Sequence, residues 1–341
     1  MSTTPPASDS APHEPRVTVV VPVRNERGAI GACLDSLLAQ TEPDMQIIIV
    51  DGASDDGTPD YVLERARADP RIELHHNPQR TVPYAMNVAL AATRARWLVR
   101  VDAHAAVPPG YVARAVELLE SGDWGGVGGI KRGIGKTSAG KAVAAAMASP
   151  FGVGGSIYHY GKEPQEVEHV PFGAYPTEVA RSIGGWGEEF TVNQDFEFDH
   201  RVREAGHKIL FDPSLVIDWE SRQTIGALWK QYRRYGKGKA KVVLRHPESI
   251  RPRHLLPPMF VGYLAAAGAL AVVRRDRRGL AVLAVSPYAL ALAAASVHTG
   301  RTIDDAAARP LVPLAFMAMH IGWGVGFWEG LVHEYRTSRR R

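Results

Sequence analysis

The chain has 341 residues, a formal net charge of +4 and a mean hydropathy of −0.15, so its length suits about two domains. Its single cysteine, Cys33, excludes a disulfide framework within the chain and fits a reducing compartment. Composition predicts a Pro- and Ser-rich disordered tail over residues 1–15, a soluble domain over 16–252 and a largely apolar membrane domain over 253–341.

Three β-rich runs near the start each end in polar residues, and helical patterns separate them. The runs and their polar ends are 17–23 before Arg24-Asn25-Glu26, 46–50 before Asp51–Thr58, and 97–101 before Asp102-Ala103-His104. Alternation of this kind indicates βαβ units in a parallel sheet. Ligands bind beyond the carboxyl ends of such strands, so we expect Asp102 and His104 to project into a substrate site.

Later in the chain, residues 167–172 are expected to be extended, and a helix is expected from residue 193 to Gly206. That helix begins with Gln194-Asp195. An acidic residue in a first turn complements the helix dipole, which is one explanation for Asp195 that needs no catalysis.

Three uncharged runs of 19 residues each close the chain: Leu255–Val273, Gly279–Val297 and Pro310–Trp328. Each approaches the ~20 residues that cross a bilayer; buried helices of a soluble domain are the alternative. The segment Lys230–Arg253 contains nine Lys or Arg and one acid. Because this basic segment adjoins the apolar runs, it indicates a surface for anionic lipid, and no nucleic-acid partner is expected.

The basic residues also bear on topology. If all three runs spanned the membrane, the arginine cluster at 274–278 would lie outside with the basic chain end, against the tendency of Lys and Arg to stay cytoplasmic. We therefore expect Leu255–Val273 to enter and return or to lie in the interface, while the other two runs form a spanning hairpin.

Five motifs carry a resemblance to a known family. They are Pro22–Glu26, Asp51–Thr58, Asp102–His104, Gln194-Asp195 and Gln231–Tyr235. Their order and spacing, over about residues 17–252, resemble family 2 glycosyltransferases with the GT-A fold. Residues 149–155, 171–174 and 231–236 are similar to the bacterial succinoglycan-type exopolysaccharide branch. The resemblance implies an α/β fold with a Rossmann-like, mostly parallel sheet, followed here by hydrophobic membrane helices.

The same resemblance implies a nucleotide-sugar donor site. Its expected residues are Pro22, Arg24, Glu26, Asp51 and Asp102. Asp51 would accept hydrogen bonds from the base, and Asp102 would hold Mn²⁺ or Mg²⁺ against the diphosphate. His104, which stands where the family usually has a second carboxylate, is expected to be the second metal ligand. Imidazole suits Mn²⁺ better than Mg²⁺. A polar loop residue that binds no metal is the alternative for His104.

By resemblance, Asp195 is the base that deprotonates the acceptor hydroxyl, with Glu197 as the second candidate. Gln231, Arg234 and Tyr235 match the family's acceptor-side motif, in which an aromatic ring faces a sugar and an arginine holds diphosphate oxygens. A single carboxylate base with direct displacement implies inversion at the anomeric carbon.

The sequence thus predicts an inverting hexosyltransferase that uses a nucleotide sugar, preferably a UDP-sugar, and a lipid-linked saccharide acceptor. We expect it at the inner (plasma) membrane with its catalytic domain in the cytoplasm, in exopolysaccharide or cell-surface glycan synthesis. A polyprenyl-phosphate sugar synthase is the alternative enzyme. A catalytically silent, membrane-tethered nucleotide-sugar-binding protein is the alternative of another class.

Overall fold

A computed structural model describes residues 14–274, 276 and 278–339, so most of the predicted tail over residues 1–15 lies outside the described residues. Within these ranges nine strands form one mixed sheet. They are β1 (Val17–Val23), β2 (Met45–Asp51), β3 (Ile72–His76), β4 (Trp97–Arg100), β5 (Ala105–Ala106), β6 (Trp124–Ile134), β7 (Gln165–Val167), β8 (Ala174–Pro176) and β9 (Lys208–Glu220). The sheet order is β3-β2-β1-β4-β8-β6-β9-β5, with β7 also on β9.

Helices cover both faces of this sheet and continue past it. In the described residues they are α1 (Ile30–Leu38), α2 (Thr58–Ala68), α3 (Val82–Ala92), α4 (Tyr111–Glu120), α5 (Ser138–Met147), α6 (Pro150–Val153), α7 (Thr177–Ser182), α8 (Gln194–Glu204), α9 (Ile225–Arg245), α10 (Pro252–Val273), α11 (Arg278–Gly300) and α12 (Val312–Ser338). Apolar clusters fill the space on each face, and this two-sided burial explains why the parallel strands are almost wholly apolar.

The parallel half of the sheet confirms the predicted βαβ order. Strands β3, β2, β1 and β4 all run parallel, and Val23 at the end of β1 pairs with Asp51 at the end of β2. The polar segments that follow these strands therefore meet at one edge of the sheet, beside the residues that follow β4.

The other half contains strands that local patterns did not indicate. β8 is antiparallel to both β4 and β6, whereas β9 is parallel to β6 along most of its length. Of the segment expected to be extended over 167–172, only Val167 lies in a strand: β7 ends there, and the next strand begins at Ala174. The expected helix after residue 193 is present as α8.

Three helices near the end of the chain are long and apolar enough to cross a membrane, but their packing differs. The most apolar windows of α10 and α11 are each 11% buried, with mean hydropathies of 1.8 and 2.0, whereas the window in α12 is 50% buried. α12 lies along α9, where Gly326 faces the Arg233 carbonyl and Glu329 accepts from Arg233 Nε at 2.6 Å. The part of α12 beside α9 therefore packs against a helix that carries many lysines and arginines.

Candidate active site

A cavity of about 1160 Å³ lies beyond the end of β4, between the sheet and helices α8, α9 and α10. Six of the ten residues that the sequence analysis assigned to the site line this cavity: Asp102, His104, Asp195, Gln231, Arg234 and Tyr235. The other four assigned residues, Pro22, Arg24, Glu26 and Asp51, are not among its lining residues. The structure therefore brings the expected metal, base and acceptor residues to one space.

Arg100 joins the two central carboxylates. Its guanidinium donates to Asp102 Oδ1 from Nε at 3.0 Å and from Nη2 at 2.9 Å, and it donates through Nη1 to Asp195 Oδ1. Arg100 is only 4% exposed. Burial lowers the pKa of this guanidinium, but the two carboxylates raise it by more, so Arg100 keeps its charge. The Oδ2 atom of each carboxylate accepts no hydrogen bond from the described residues.

The carboxyl of Asp195 is poised to accept a proton. Its burial raises the pKa above the ordinary aspartate value, and Arg100 and then His169 act against that rise. The side chain is still 16% exposed and lines the cavity. A carboxylate with a raised pKa and a free oxygen is suited to general-base catalysis near neutral pH.

The ring of His104 is held on both sides. The Trp219 indole donates from Nε1 to His104 Nε2 at 2.7 Å, and Nδ1 lies 3.5 Å from Glu26 Oε1. An indole N–H can only donate, so Nε2 is the acceptor nitrogen and the proton of the neutral ring is on Nδ1. In this arrangement neither nitrogen offers a free lone pair to a metal, while Asp102 Oδ2 does.

The segments that follow β1 and β2 are bonded to each other beside the cavity. The backbone N–H of Asn25 donates to Ser54 Oγ at 2.8 Å, and the backbone N–H of Glu26 donates to Thr58 Oγ1 at 3.1 Å. Asp51 is 1% exposed; its Oδ2 accepts from the Ser54 amide, while Oδ1 is buried without a partner among the described residues. An unpaired buried acceptor is unfavourable, so Asp51 is a candidate partner for a ligand N–H.

The acceptor-side residues lie on α9. Gln231 donates from Nε2 to the Tyr235 hydroxyl at 2.7 Å, and its Oε1 is buried without a partner in the described part of the chain. Arg234 is exposed and forms no ion pair with a described carboxylate. The spacing of four residues on one helix explains why these side chains reach the same cavity wall.

Sequence reasoning missed several cavity residues. His169 donates from Nδ1 to Asp199 Oδ2 at 2.7 Å, and Asp199 is fully buried. Lys131 places Nζ 3.9 Å from the centre of the Trp219 ring. Glu197, the second candidate base, instead accepts from Arg201 at 2.6 and 3.0 Å and is not in the cavity wall. No local motif marks the roles of His169 and Lys131, because each of these two depends on a partner from another element.

Comparison with known proteins supplies sequence relatives along nearly the whole chain. The profile of the family described as Glycosyl transferase family 2 matches residues 18–180. Succinoglycan biosynthesis protein ExoA of Rhizobium meliloti (strain 1021) is 32% identical over 317 residues, covering 92% of this chain and 94% of that protein. A dolichyl N-acetyl-alpha-D-glucosaminyl phosphate 3-beta-D-2,3-diacetamido-2,3-dideoxy-beta-D-glucuronosyltransferase of Methanococcus voltae is 26% identical and covers 67% of this chain and 74% of its own length.

Solved structures share the fold. Mannosyltransferase PcManGT from Pyrobaculum calidifontis, in complex with GDP-Man and Mn²⁺, superposes with a TM-score of 0.54 at 22% identity, covering 96% of this chain and 88% of that one. S. aureus TarS 1-349 in complex with UDP gives a TM-score of 0.51 at 15% identity, covering 95% and 92%. At these identities the likeness concerns the fold, and it confirms the expected GT-A architecture.

Proposed function

The chain belongs to glycosyl transferase family 2, and on that premise we propose that it transfers a hexose from a UDP-sugar to a saccharide carried on a lipid, with inversion. The name of its Rhizobium relative refers to succinoglycan biosynthesis. We therefore propose that the product is an exopolysaccharide or another cell-surface glycan.

The observation that carries this proposal is the Asp102–Arg100–Asp195 arrangement. One buried guanidinium holds both carboxylates at the wall of the same cavity, so that donor diphosphate and acceptor hydroxyl would meet between them. Asp195 Oδ1 is occupied by Arg100, which leaves Oδ2 to take the proton of the attacking hydroxyl. With one base and direct displacement, an α-linked sugar nucleotide yields a β-glycoside.

Donor binding is proposed at the crevice beyond β1 and β2. The unpaired Oδ1 of Asp51 would accept from a ring N–H of uracil, and that bond would satisfy a buried oxygen that otherwise lacks one. The backbone near Pro22 and Glu26 would frame the base, with Arg24 exposed at the rim. Glu26 lies 3.5 Å from His104 Nδ1, which connects this crevice with the main cavity.

A divalent cation is proposed as cofactor, with Asp102 as its protein ligand. When bound, Mn²⁺ or Mg²⁺ would neutralise charge on the leaving diphosphate. Asp102 Oδ2 fits this role because it is free, whereas His104 would first have to give up its hydrogen bond from Trp219. We therefore assign the cation to Asp102, and His104 accepts the hydrogen bond from the Trp219 indole.

The packing of the last three helices supports a membrane arrangement other than the one expected from the sequence, in which the second and third apolar runs form a spanning hairpin. α10 and α11 expose their apolar faces, but α12 packs on the charged helix α9. We propose that α10 and α11 form the lipid-embedded hairpin at the inner membrane and that α12 stays with a cytoplasmic catalytic domain. On this proposal the arginine-rich loop between the two helices stays on the cytoplasmic side, as the positive-inside tendency favours, so the hairpin enters the membrane without crossing it.

Cysteine labelling tests this topology directly. Cys33 is 1% exposed, so the wild-type protein should react little with a maleimide. An Asp276→Cys variant adds one accessible thiol. An impermeant maleimide should label the variant in inverted membrane vesicles and leave it unlabelled in intact cells. Labelling from outside the cell would overturn the proposed hairpin and show that it spans the membrane.

Catalysis is tested with a donor panel and one variant. Thermal shift with UDP-glucose, UDP-galactose, UDP-N-acetylglucosamine and GDP-mannose, with and without Mn²⁺, identifies the nucleotide, because a ligand raises stability only by binding the folded state. Asp195→Asn should keep nucleotide binding and lose sugar transfer and donor hydrolysis. Wild-type protein that binds a donor but never turns it over would instead support the silent nucleotide-sugar-binding protein. Transfer to a bare lipid phosphate would support the polyprenyl-phosphate sugar synthase.

A further inference from the structure

The end of the cavity beside α10 carries concentrated positive charge. Arg251 and Arg253, at the start of α10, both bond to Glu168: Arg251 Nε donates to Oε1 at 2.5 Å, and Arg253 donates to Oε2. Two guanidinium groups thus share one carboxylate. Arg203 lies on the same side, where its Nε donates to the Glu168 carbonyl oxygen at 3.1 Å. This end of the cavity therefore has more cations than the described carboxylates neutralise.

Lys239 adds a buried amine that forms no ion pair among the described residues. It is 4% exposed, and its Nζ has no hydrogen-bond partner in the described residues. The Nζ atom lies over the ring of Phe196, 3.0 Å from its centre. Burial, and then the charge of Arg253, lowers the pKa of this lysine to about 6. A buried ammonium is unfavourable until an anion approaches it, and Phe196 directly follows Asp195, so this position adjoins the proposed base.

A second group of cations lies beside Trp219. Two other cations, Lys131 and Arg222, lie against Trp219, with Lys131 Nζ 3.9 Å and Arg222 Cζ 5.9 Å from the centre of its ring. Trp219 donates to His104, so these cations are on the Asp102 side of the cavity. The cavity thus has one cationic group beside Trp219 and a second one beside α10.

The cavity wall next to Arg251 and Arg253 includes apolar residues. Residues of α10, α11 and α12 line it there: Leu256, Pro257, Phe260, Tyr288, Met319 and Trp323. Leu256 is 66% exposed, and α10 and α11 are the helices that we assign to lipid. A ligand with an anionic group next to a long apolar chain matches this order of surfaces.

We propose that Arg251, Arg253 and Lys239 bind the phosphate group that joins the acceptor saccharide to a polyisoprenyl lipid, and that the lipid chain leaves along α10. The inference rests on the proposed function, because it assumes that the acceptor is lipid-linked. It adds which residues recognise the anionic linkage. The phosphate gives Lys239 Nζ a negatively charged hydrogen-bond acceptor, and the saccharide extends from there toward Asp195.

The test measures binding to the full-length protein in detergent, with UDP and Mn²⁺ saturating the donor side. The ligands are geranylgeranyl diphosphate, geranylgeraniol and inorganic diphosphate. Wild type should bind the lipid diphosphate more tightly than the alcohol or the inorganic ion. Lys239→Met should weaken binding of the lipid diphosphate by roughly 10- to 100-fold, the range for a hydrogen bond to a charged group, and leave alcohol binding unchanged. Lys237→Met is the matched control, because Lys237 is an exposed lysine of the same helix and should bind like wild type.

Two results with the wild-type protein decide against the inference. Equal binding of diphosphate and alcohol would remove the phosphate site, and inorganic diphosphate binding as tightly as the lipid form would make it a free-anion site. If Lys239→Met fails to fold, judged by loss of UDP binding, Arg253→Gln replaces it and should weaken the same ligand; wild-type affinity in the folded variant would overturn the proposal. Donor turnover and its loss in Asp195→Asn are measured without these ligands, so failure of the catalytic proposal remains distinguishable.

Discussion

Replacing Arg100 with methionine is the sharpest test of the site. Arg100 is 4% exposed and is the cation that holds both Asp102 and Asp195. Arg100→Met keeps a long side chain but leaves two carboxylates, 18% and 16% exposed, without their shared partner. Removing one member of a buried ion pair costs about 3–5 kcal/mol. Because these carboxylates keep some solvent contact, we expect about 3 kcal/mol, or roughly 6–12 °C in Tm.

The loss should depend on pH in a definite direction. Without Arg100 the two carboxylates repel each other, so the folded-state pKa of Asp195, already raised, rises further above its unfolded value. A carboxyl with a raised folded-state pKa stabilises the fold at low pH and loses that contribution as pH increases through the folded-state pKa. The stability deficit of Arg100→Met should therefore be smaller near about pH 5 than near about pH 7.5.

Thermal unfolding of purified protein in detergent at both pH values measures this effect. Arg132→Met is the control: Arg132 donates to both Asp218 oxygens, at 2.5 and 2.9 Å, but its side chain is 59% exposed. Its loss should cost under about 1 kcal/mol at either pH. A deficit for Arg100→Met that is no larger than the control's at neutral pH, or that grows on acidification, would refute the buried bridging role.

Three further predictions follow from the same contacts. The acid limb of kcat/KM should lie above the ordinary aspartate range, because burial raises the pKa of Asp195; a limb near pH ~4 would contradict this. Asp102→Asn should abolish the Mn²⁺-dependent increase in UDP affinity by isothermal titration, whereas His104→Gln should retain it, since the ring nitrogen is bonded to Trp219. Gly326→Ala should lower thermal stability by about 1–3 kcal/mol because the added Cβ would lie 1.9 Å from the Arg233 carbonyl oxygen; Gly226→Ala, which enters open space, should not.

Much of the parallel half of the protein was predictable, because short-range patterns encode it. The apolar runs before Asp51 and Asp102 are β2 and β4 in the structure, and the motif at Asp195 begins α8. Strands β8 and β9 were not predicted, because an antiparallel insertion and a long bent strand have no distinctive period. Their pairing is decided by the neighbours that they meet in the folded sheet.

By itself, the sequence determined the βαβ order, the three apolar runs and the polar motifs, since each depends on residues close together in the chain. Only the tertiary structure decided that Arg100, 95 positions from Asp195, bridges two carboxylates. It also decided that Trp219 donates a hydrogen bond to His104 and that the Lys239 amine is buried without a hydrogen-bond partner among the described residues. These are pairings between distant elements. Local periodicity selects helices and strands, but the energy of a buried charge or hydrogen-bonding atom depends on which partner the fold brings to it.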